Sequence, residues 1–396
     1  MKLAHEVRER GWSRSVNVCS GDERRCRIDV DARRYREVLS ALLLAAACQK
    51  NPTHARGPDE GPAAPRATTA TAAAAPREPT RAALTPSLPL QHVADVELPG
   101  RSTRFDYQDI DPALGELVVS HMNDGEVLFL RLSDGALLAR LSGIPVARGV
   151  AVASELQRVF VTSSPHTLVV IDAKQHREAA RAATGEGPDG VAWDPIDRVV
   201  GVSDQRDGAL SLLADAGSGA RRALKLGRET GNVVFDGQRG SFWITVVGAE
   251  RLDQLVAVLP SQAQIEKRWP LPGCQSAHGL RLAPDGKSAF IACEGNHRLL
   301  QLDLEAGQVL ATLATGEDPD VLSVDPGLGW LYVAAESGDL TVFDLRNPVA
   351  TLLGHDHPGP SSHTVAVDPA SHLIFFPLRL GPSGKPVLRI MKPTGT

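Results

Sequence analysis

The sequence predicts an all-β fold, a seven-bladed β-propeller closed by pairing its N- and C-terminal strands, with a disordered N-terminal tether. One short pattern, an apolar run, an Asp-Pro-like turn and a second apolar run, recurs seven times. It reads YQDIDPALGELVVS (107–120), VAVASELQRVFVTS (150–163), VAWDPIDRVVGVSD (191–204), VVFDGQRGSFWITV (233–246), LRLAPDGKSAFIAC (280–293), LSVDPGLGWLYVAA (322–335) and VAVDPASHLIFFPL (365–378). The turn positions Asp111, Ala153, Asp194, Asp236, Ala283, Asp325 and Asp368 are separated by 42, 41, 42, 47, 42 and 43 residues. That length holds four short strands and their turns, the unit of a propeller. Finally, LQHVADVELPG (90–100) has the character of a blade's fourth strand with no strands of its own before it.

Taken in chain order, residues 1–47 read as a leader and signal peptide. Residues 1–29 are too acidic and too long to precede a signal, so translation is expected to begin near Val30. Arg33, Arg34 and Arg36 then stand ahead of an apolar run from Val38 to Ala47, a secretory pattern too short to span a bilayer. The run ends Leu44-Ala45-Ala46-Ala47-Cys48, which resembles a bacterial lipoprotein lipobox, with Ala45 where that family has Leu. The resemblance implies lipidation of Cys48, and Gln49 after it implies the outer membrane. Residues 48–89 contain no aromatic side chain and are rich in Ala, Pro and Thr. Such a segment cannot bury enough apolar surface to fold and reads as a linker.

Residues 90–396 form the propeller. The sixth repeat shows the unit: VLSVD (321–325), WLYVAA (330–335), LTVFDL (340–345) and VATLLG (349–354) are apolar runs of strand length punctuated by Gly, Pro, Asp and Ser. A lone four-stranded sheet cannot cover both its faces, so blades stack, and a closed ring removes the open ends. Aromatics at 4% with 36 Gly and 28 Pro suit short strands and turns. Trp193, Trp243 and Trp330 are expected in the inter-blade core. Asp124-Gly125, Asp207-Gly208 and Asp285-Gly286 are expected as hairpin turns, not calcium loops.

Two cysteines lie in the propeller. Cys274 precedes the first strand of blade five and Cys293 ends the second, so the hairpin returns them to one end of the blade. An oxidising compartment would let them bridge, and two independent buried thiols is the other reading. From residue 48 onward the chain has 32 basic against 40 acidic residues. An acidic domain with no basic stripe is not a nucleic-acid binder, and any membrane contact is expected only through the lipid anchor.

The innermost strand of each blade begins at the mouth of the central channel. Counting five residues back from each turn gives Asp106, Arg148, Asp189, Gly231, His278, Asp320 and His363, the expected ligand-binding ring. Loops between second and third strands are expected to surround it with His121, Asn123, His166, Asp204, Arg206, Glu250, Arg251, Glu294, His297, Glu336 and Arg379. One reading of the ring is a divalent metal held by His278 and His363 with Asp320, joined by His355 and His357 from the loop GHDHPGPSSH (354–363). The other is a set of polar groups satisfied by one another and by water. Hydrolase, metalloprotease, phosphate-loop and dinucleotide signatures are absent from the sequence, so no residue is assigned as catalytic.

The segment from about residue 91 to 396 resembles the YVTN-repeat, YncE-like seven-bladed propellers of bacterial envelopes. The likeness lies in GPDGVAWDP, in the 272–296 stretch Pro-Gly-Cys…His-Gly-Leu…Ala-Cys-Glu-Gly-Asn, in GEDPDVLSVDP, and in the ending SHTVAVDPASHLIFFPL…KPVLRIM. It implies an exported propeller without a fixed activity, related to lactonases and to quinone- or metal-dependent enzymes. Ala153-Ser154 in place of Asp-Pro, and a fourth repeat longer around Glu250, depart from the pattern. The expectation is a periplasm-facing, lipid-anchored scaffold that binds an envelope protein or small ligand, needs no cofactor and catalyses nothing. The alternative is a lactonase-like hydrolase or dehydrogenase using a divalent metal on the same face.

Overall fold

The computed structural model describes Leu88, residues 90–248 and residues 252–394. The leader, signal, tether and Cys48 assignments therefore lie outside the described residues, as do Glu250 and Arg251. Among the described residues twenty-eight strands pair into seven antiparallel four-stranded sheets, and the sheets form a ring. The innermost strand of each blade touches that of the next, and that of blade seven (Ala366–Val367) touches that of blade one (Gln108–Asp111). No helix among the described residues is long and apolar enough to cross a membrane.

Blade six follows the sequence closely, with strands Pro319–Asp325, Trp330–Ala335, Leu340–Asp344 and Thr351–Asp356. The fourth strand lies two residues later than read, which puts His355 on it instead of in a loop. Middle strands are almost wholly buried because both faces are covered. In blade one, Val118 packs toward blade two while its neighbours Leu117 and Val119 pack toward blade seven, the two-residue alternation of a strand. Seven hydrophobic clusters result, one at each blade interface. Trp243 is fully buried in the cluster between blades four and five, and Trp193 and Trp330 pack against two others. On the outermost strand Gln264–Pro270, exposed and half-buried residues alternate.

The ring is closed as the terminal repeat implied. Leu90–Glu97 pairs antiparallel with Val387–Pro393 and completes blade seven. Val96 joins the cluster shared by blades seven and one, and Arg389 donates to both Asp95 oxygens at 2.9 and 2.7 Å.

Turn aspartates do a common job. Asp111, Asp194, Asp236 and Asp325 each accept hydrogen bonds from the two backbone N–H groups two and three residues ahead, which tightens the turn. Where Ala153 replaces Asp, Ser154 instead donates its hydroxyl to Asp111 of blade one at 2.8 Å. The departure from the repeat thus becomes an inter-blade bond. Cys274 and Cys293 are joined in a disulfide with Cα atoms 5.3 Å apart.

Candidate functional site

Sequence position five before the turn coincides with a break in strand pairing. Register shifts lie between Ala147 and Val150, Pro188 and Val191, Thr230 and Val233, Ala277 and Leu280, and Pro319 and Leu322. Arg148, Asp189, Gly231, His278 and Asp320 fall inside these bulges, which re-aim a side chain. Asp106 and His363 stand just ahead of the shorter innermost strands of blades one and seven. Glycine follows three of the bulged residues because the next blade arrives there. A Cβ on Gly149 would lie 2.2 Å from the Asp189 carbonyl, and one on Gly279 would lie 1.9 Å from that of Asp320. Hydroxyls on second strands lock the contact. Thr162 Oγ1 accepts from Gly149 N–H at 2.7 Å and donates to the Asp189 carbonyl at 2.6 Å, and Thr245 donates to the His278 carbonyl at 2.6 Å.

All six charge-bearing ring residues enter one network at the mouth. Arg148 Nη1 donates to Asp189 Oδ1 at 2.9 Å. Gly231 offers no side chain, and His278 Nε2 lies 3.4 Å from Asp189 on one side and 3.5 Å from Asp320 on the other. His363 Nε2 lies 3.6 Å from Asp106 Oδ1. Acid and base alternate around the ring, and the gap at Gly231 lets a seven-fold frame hold an even set of charges. His278 and His363 do not touch; Asp320 stands between them.

Burial sets the electrostatics. It opposes the His278 imidazolium, but the carboxylates of Glu294, Asp189 and Asp320 outweigh it and raise that pKa to about 9. Burial pushes the Asp320 carboxyl up to about 7 against the pull of His278 and His363. Burial also works against ionised Asp106, yet His363 and Arg104 hold its carboxyl below the usual range.

Two mouth residues carried no sequence signal. Arg104, two positions before the blade-one ring residue, pairs with Glu336 and lies 3.6 Å from Asp106 and 3.8 Å from Asp320. The Tyr107 hydroxyl is 3.2 Å from His278 Nε2. Of the loop residues expected at the mouth, Glu294 and Glu336 reach the network, at 3.8 Å from His278 and His363 respectively. Four of the other described ones serve nearby structure. His121 is buried on the Phe105 ring and bonds Thr103, Asp204 bonds Ser211 and Gly185 N–H, Arg206 pairs with Glu186, and His297 accepts from Asp318 N–H. His355 and His357 do not join the ring. His355 bonds Thr341 across its own sheet and His357 bonds Asp339, because the outer strand of a blade lies far from the innermost one.

Below the mouth the channel holds a cavity of about 380 Å³, lined by Gln108, Asp109, Asn232 and Arg281 among mostly apolar residues. At the mouth itself Asp189 Oδ2, Asp320 Oδ1, His363 Nε2 and the Nε atoms of Arg104 and Arg148 are buried without a hydrogen-bond partner. The disulfide braces this face, since Cys274 lies four residues before His278 and Cys293 immediately precedes Glu294.

No family model and no curated protein matches the chain. Among solved structures, a chain from "Kuenenia stuttgartiensis Hydrazine Synthase" is similar in fold, with a TM-score of 0.62 at 14% identity, covering 72% of this chain and 94% of that one. At that identity the likeness concerns the fold alone, and the fold it supports is the seven-bladed β-propeller.

Proposed function

We propose that this chain is a non-catalytic binding protein of the bacterial envelope, of the YVTN-repeat type its motifs resemble, whose channel mouth receives a cationic group of a small ligand or partner protein. The observation that carries this reading is an excess of acid whose inner oxygens are only loosely paired. Five carboxylates, Asp106, Asp189, Asp320, Glu294 and Glu336, face two arginines and two histidines, and buried Asp189 Oδ2 and Asp320 Oδ1 have no hydrogen-bond partner, His278 Nε2 standing 3.4 and 3.5 Å from them. A buried oxygen left so is stabilised by a donor arriving from outside.

The same geometry argues against covalent catalysis. Ser362 adjoins His363, but its hydroxyl is buried and bonds no base. Tyr107 meets a histidine, but burial and the carboxylates of Asp189 and Asp320 push its pKa well above the ordinary phenol value, which keeps it protonated. Envelope placement draws on the Cys274–Cys293 bridge, which fits an oxidising compartment, and on the signal-like run ending at Cys48. A Cys48→Ala variant is expected to move from the membrane pellet to the soluble fraction.

Calorimetry with 1,4-diaminobutane at pH 7 tests the binding reading. One salt-sensitive equivalent, weakened at least tenfold in Asp189→Asn and unchanged in His355→Ala, is the expected result. Absence of amine binding, or binding indifferent to Asp189→Asn, would overturn it.

A further inference from the structure

We infer that Asp106, Asp320 and His363 form a divalent-metal site at the channel mouth. The proposal rests on the reading of this face as cation-binding and names one cation class for it. One ligand atom from each of the three residues lies within 4.8 Å of the others, and all three residues are buried. His363 is oriented as a metal ligand is. Its Nδ1 lies 3.1 Å from the Ser361 carbonyl, to which it donates, leaving Nε2 turned into the trio. Fixing one ring nitrogen on a carbonyl so that the other faces the ion is the usual outer support of a ligating histidine. That Nε2 and Asp320 Oδ1 are both buried and lack a hydrogen-bond partner. Asp320 Oδ1 faces His278 Nε2 at 3.5 Å and His363 Nε2 faces Asp106 Oδ1 at 3.6 Å, so neither atom is held by a close hydrogen bond that an entering ion would have to break.

Arg104 is the resident cation of the trio. Its Nη2 lies 3.6 Å from Asp106 Oδ1 and 3.8 Å from Asp320 Oδ2. Its side chain is 34% exposed and already paired with Glu336 on the outer side, so it can swing outward as an ion enters. Two carboxylates and one imidazole suit Mn²⁺, Fe²⁺ or Zn²⁺, with the positions toward the mouth left to water.

Two neighbouring clusters are poorer candidates. His278, Glu294 and Asp320 also approach one another, but His278 Nε2 meets the Tyr107 hydroxyl at 3.2 Å and is shared between two aspartates. In the His121, Asp124 and Glu126 cluster the carboxylates are taken: Asp124 by Thr103 and Arg101, Glu126 by Arg140 and Ser142.

The test is titration of chelator-stripped full chain with Mn²⁺ and Zn²⁺, followed by calorimetry, by metal analysis after desalting and, for Mn²⁺, by electron paramagnetic resonance. One equivalent is expected, with affinity lowered at least tenfold in His363→Ala and Asp320→Asn and unchanged in His357→Ala. Arg104→Gln, a substitution on a partly exposed side chain, is expected to bind severalfold tighter. This gain keeps the test decisive if a buried variant fails to fold, which thermal unfolding of each protein reveals. No uptake by wild type and Arg104→Gln, or a loss confined to His278→Ala, overturns the site. Diamine binding without metal uptake overturns the metal site while leaving the cation-binding reading standing.

Discussion

His278 concentrates the electrostatics of the mouth in one side chain. Its folded pKa of about 9 lies above the ordinary 6.5, so the folded state holds a proton that the unfolded chain releases earlier. The stabilisation is full below pH 6.5 and is lost as pH rises toward 9. Its size is on the order of 3 kcal/mol. Unfolding midpoints measured from pH 6 to 9.5 should fall for the wild type, and His278→Gln should flatten much of that fall; parallel curves would contradict the assignment. Gly279 tests the neighbouring contact. Since its Cβ would meet the Asp320 carbonyl at 1.9 Å, Gly279→Ala must move a whole blade edge. A loss of about 2–4 kcal/mol in denaturant unfolding is expected, with weakened cation binding because Asp320 shifts too.

At the scale of the element, blade five joins stability to the site. The bridge closes a loop across the hairpin with Cys residues 19 apart in sequence. Glu294 N–H bonds the Ser276 carbonyl at 3.1 Å and Gly295 N–H bonds that of Gln275 at 2.9 Å, so the segments carrying His278 and Glu294 are tied side by side. Removing the bridge in Cys274→Ala/Cys293→Ala should cost about 3 kcal/mol. Urea unfolding with and without reductant measures it, and an unmoved midpoint under full reduction would deny the bridge a stabilising role. Innermost strands show a second element-scale rule. The bulge at the mouth end removes the ring residue from regular pairing and frees it to face its counterparts. The cost of the break is met by Thr162, Ser203 and Thr245, whose hydroxyls bond the backbone there.

For the whole molecule the decisive feature is closure. Seven apolar interfaces leave no blade face uncovered, and Leu90–Glu97 supplies the strand that would otherwise be missing from the last blade. Deleting the chain through Glu97 exposes the edge of Val387–Pro393 and uncovers one side of the interface with blade one. Such an edge invites pairing with other chains. The truncated protein should lose several kcal/mol of stability, since it gives up buried Leu88 and half-buried Leu90 and Val96 together with the strand's pairing, and a fully buried aliphatic side chain is worth about 1.5–3 kcal/mol; it should also form oligomers on size exclusion. A monomer of unchanged stability would show that the closing strand is dispensable.

The repeat and its spacing by themselves determined the blade count, the closing strand and the angular position of Asp106, Arg148, Asp189, His278, Asp320 and His363, because a strand's two-residue period and a blade's length are local properties. They also brought Cys274 and Cys293 to one end of a hairpin. Arg104 and Tyr107 were illegible, since nothing local tells how far a side chain reaches across a channel. His355 and His357 looked like companions of His363 because they are close in sequence, yet they sit on or beside an outer strand while His363 stands at the centre. Only the tertiary structure decided which charges meet, because that depends on seven blades converging on one axis and on the vacancy at Gly231 that lets His278 reach both Asp189 and Asp320.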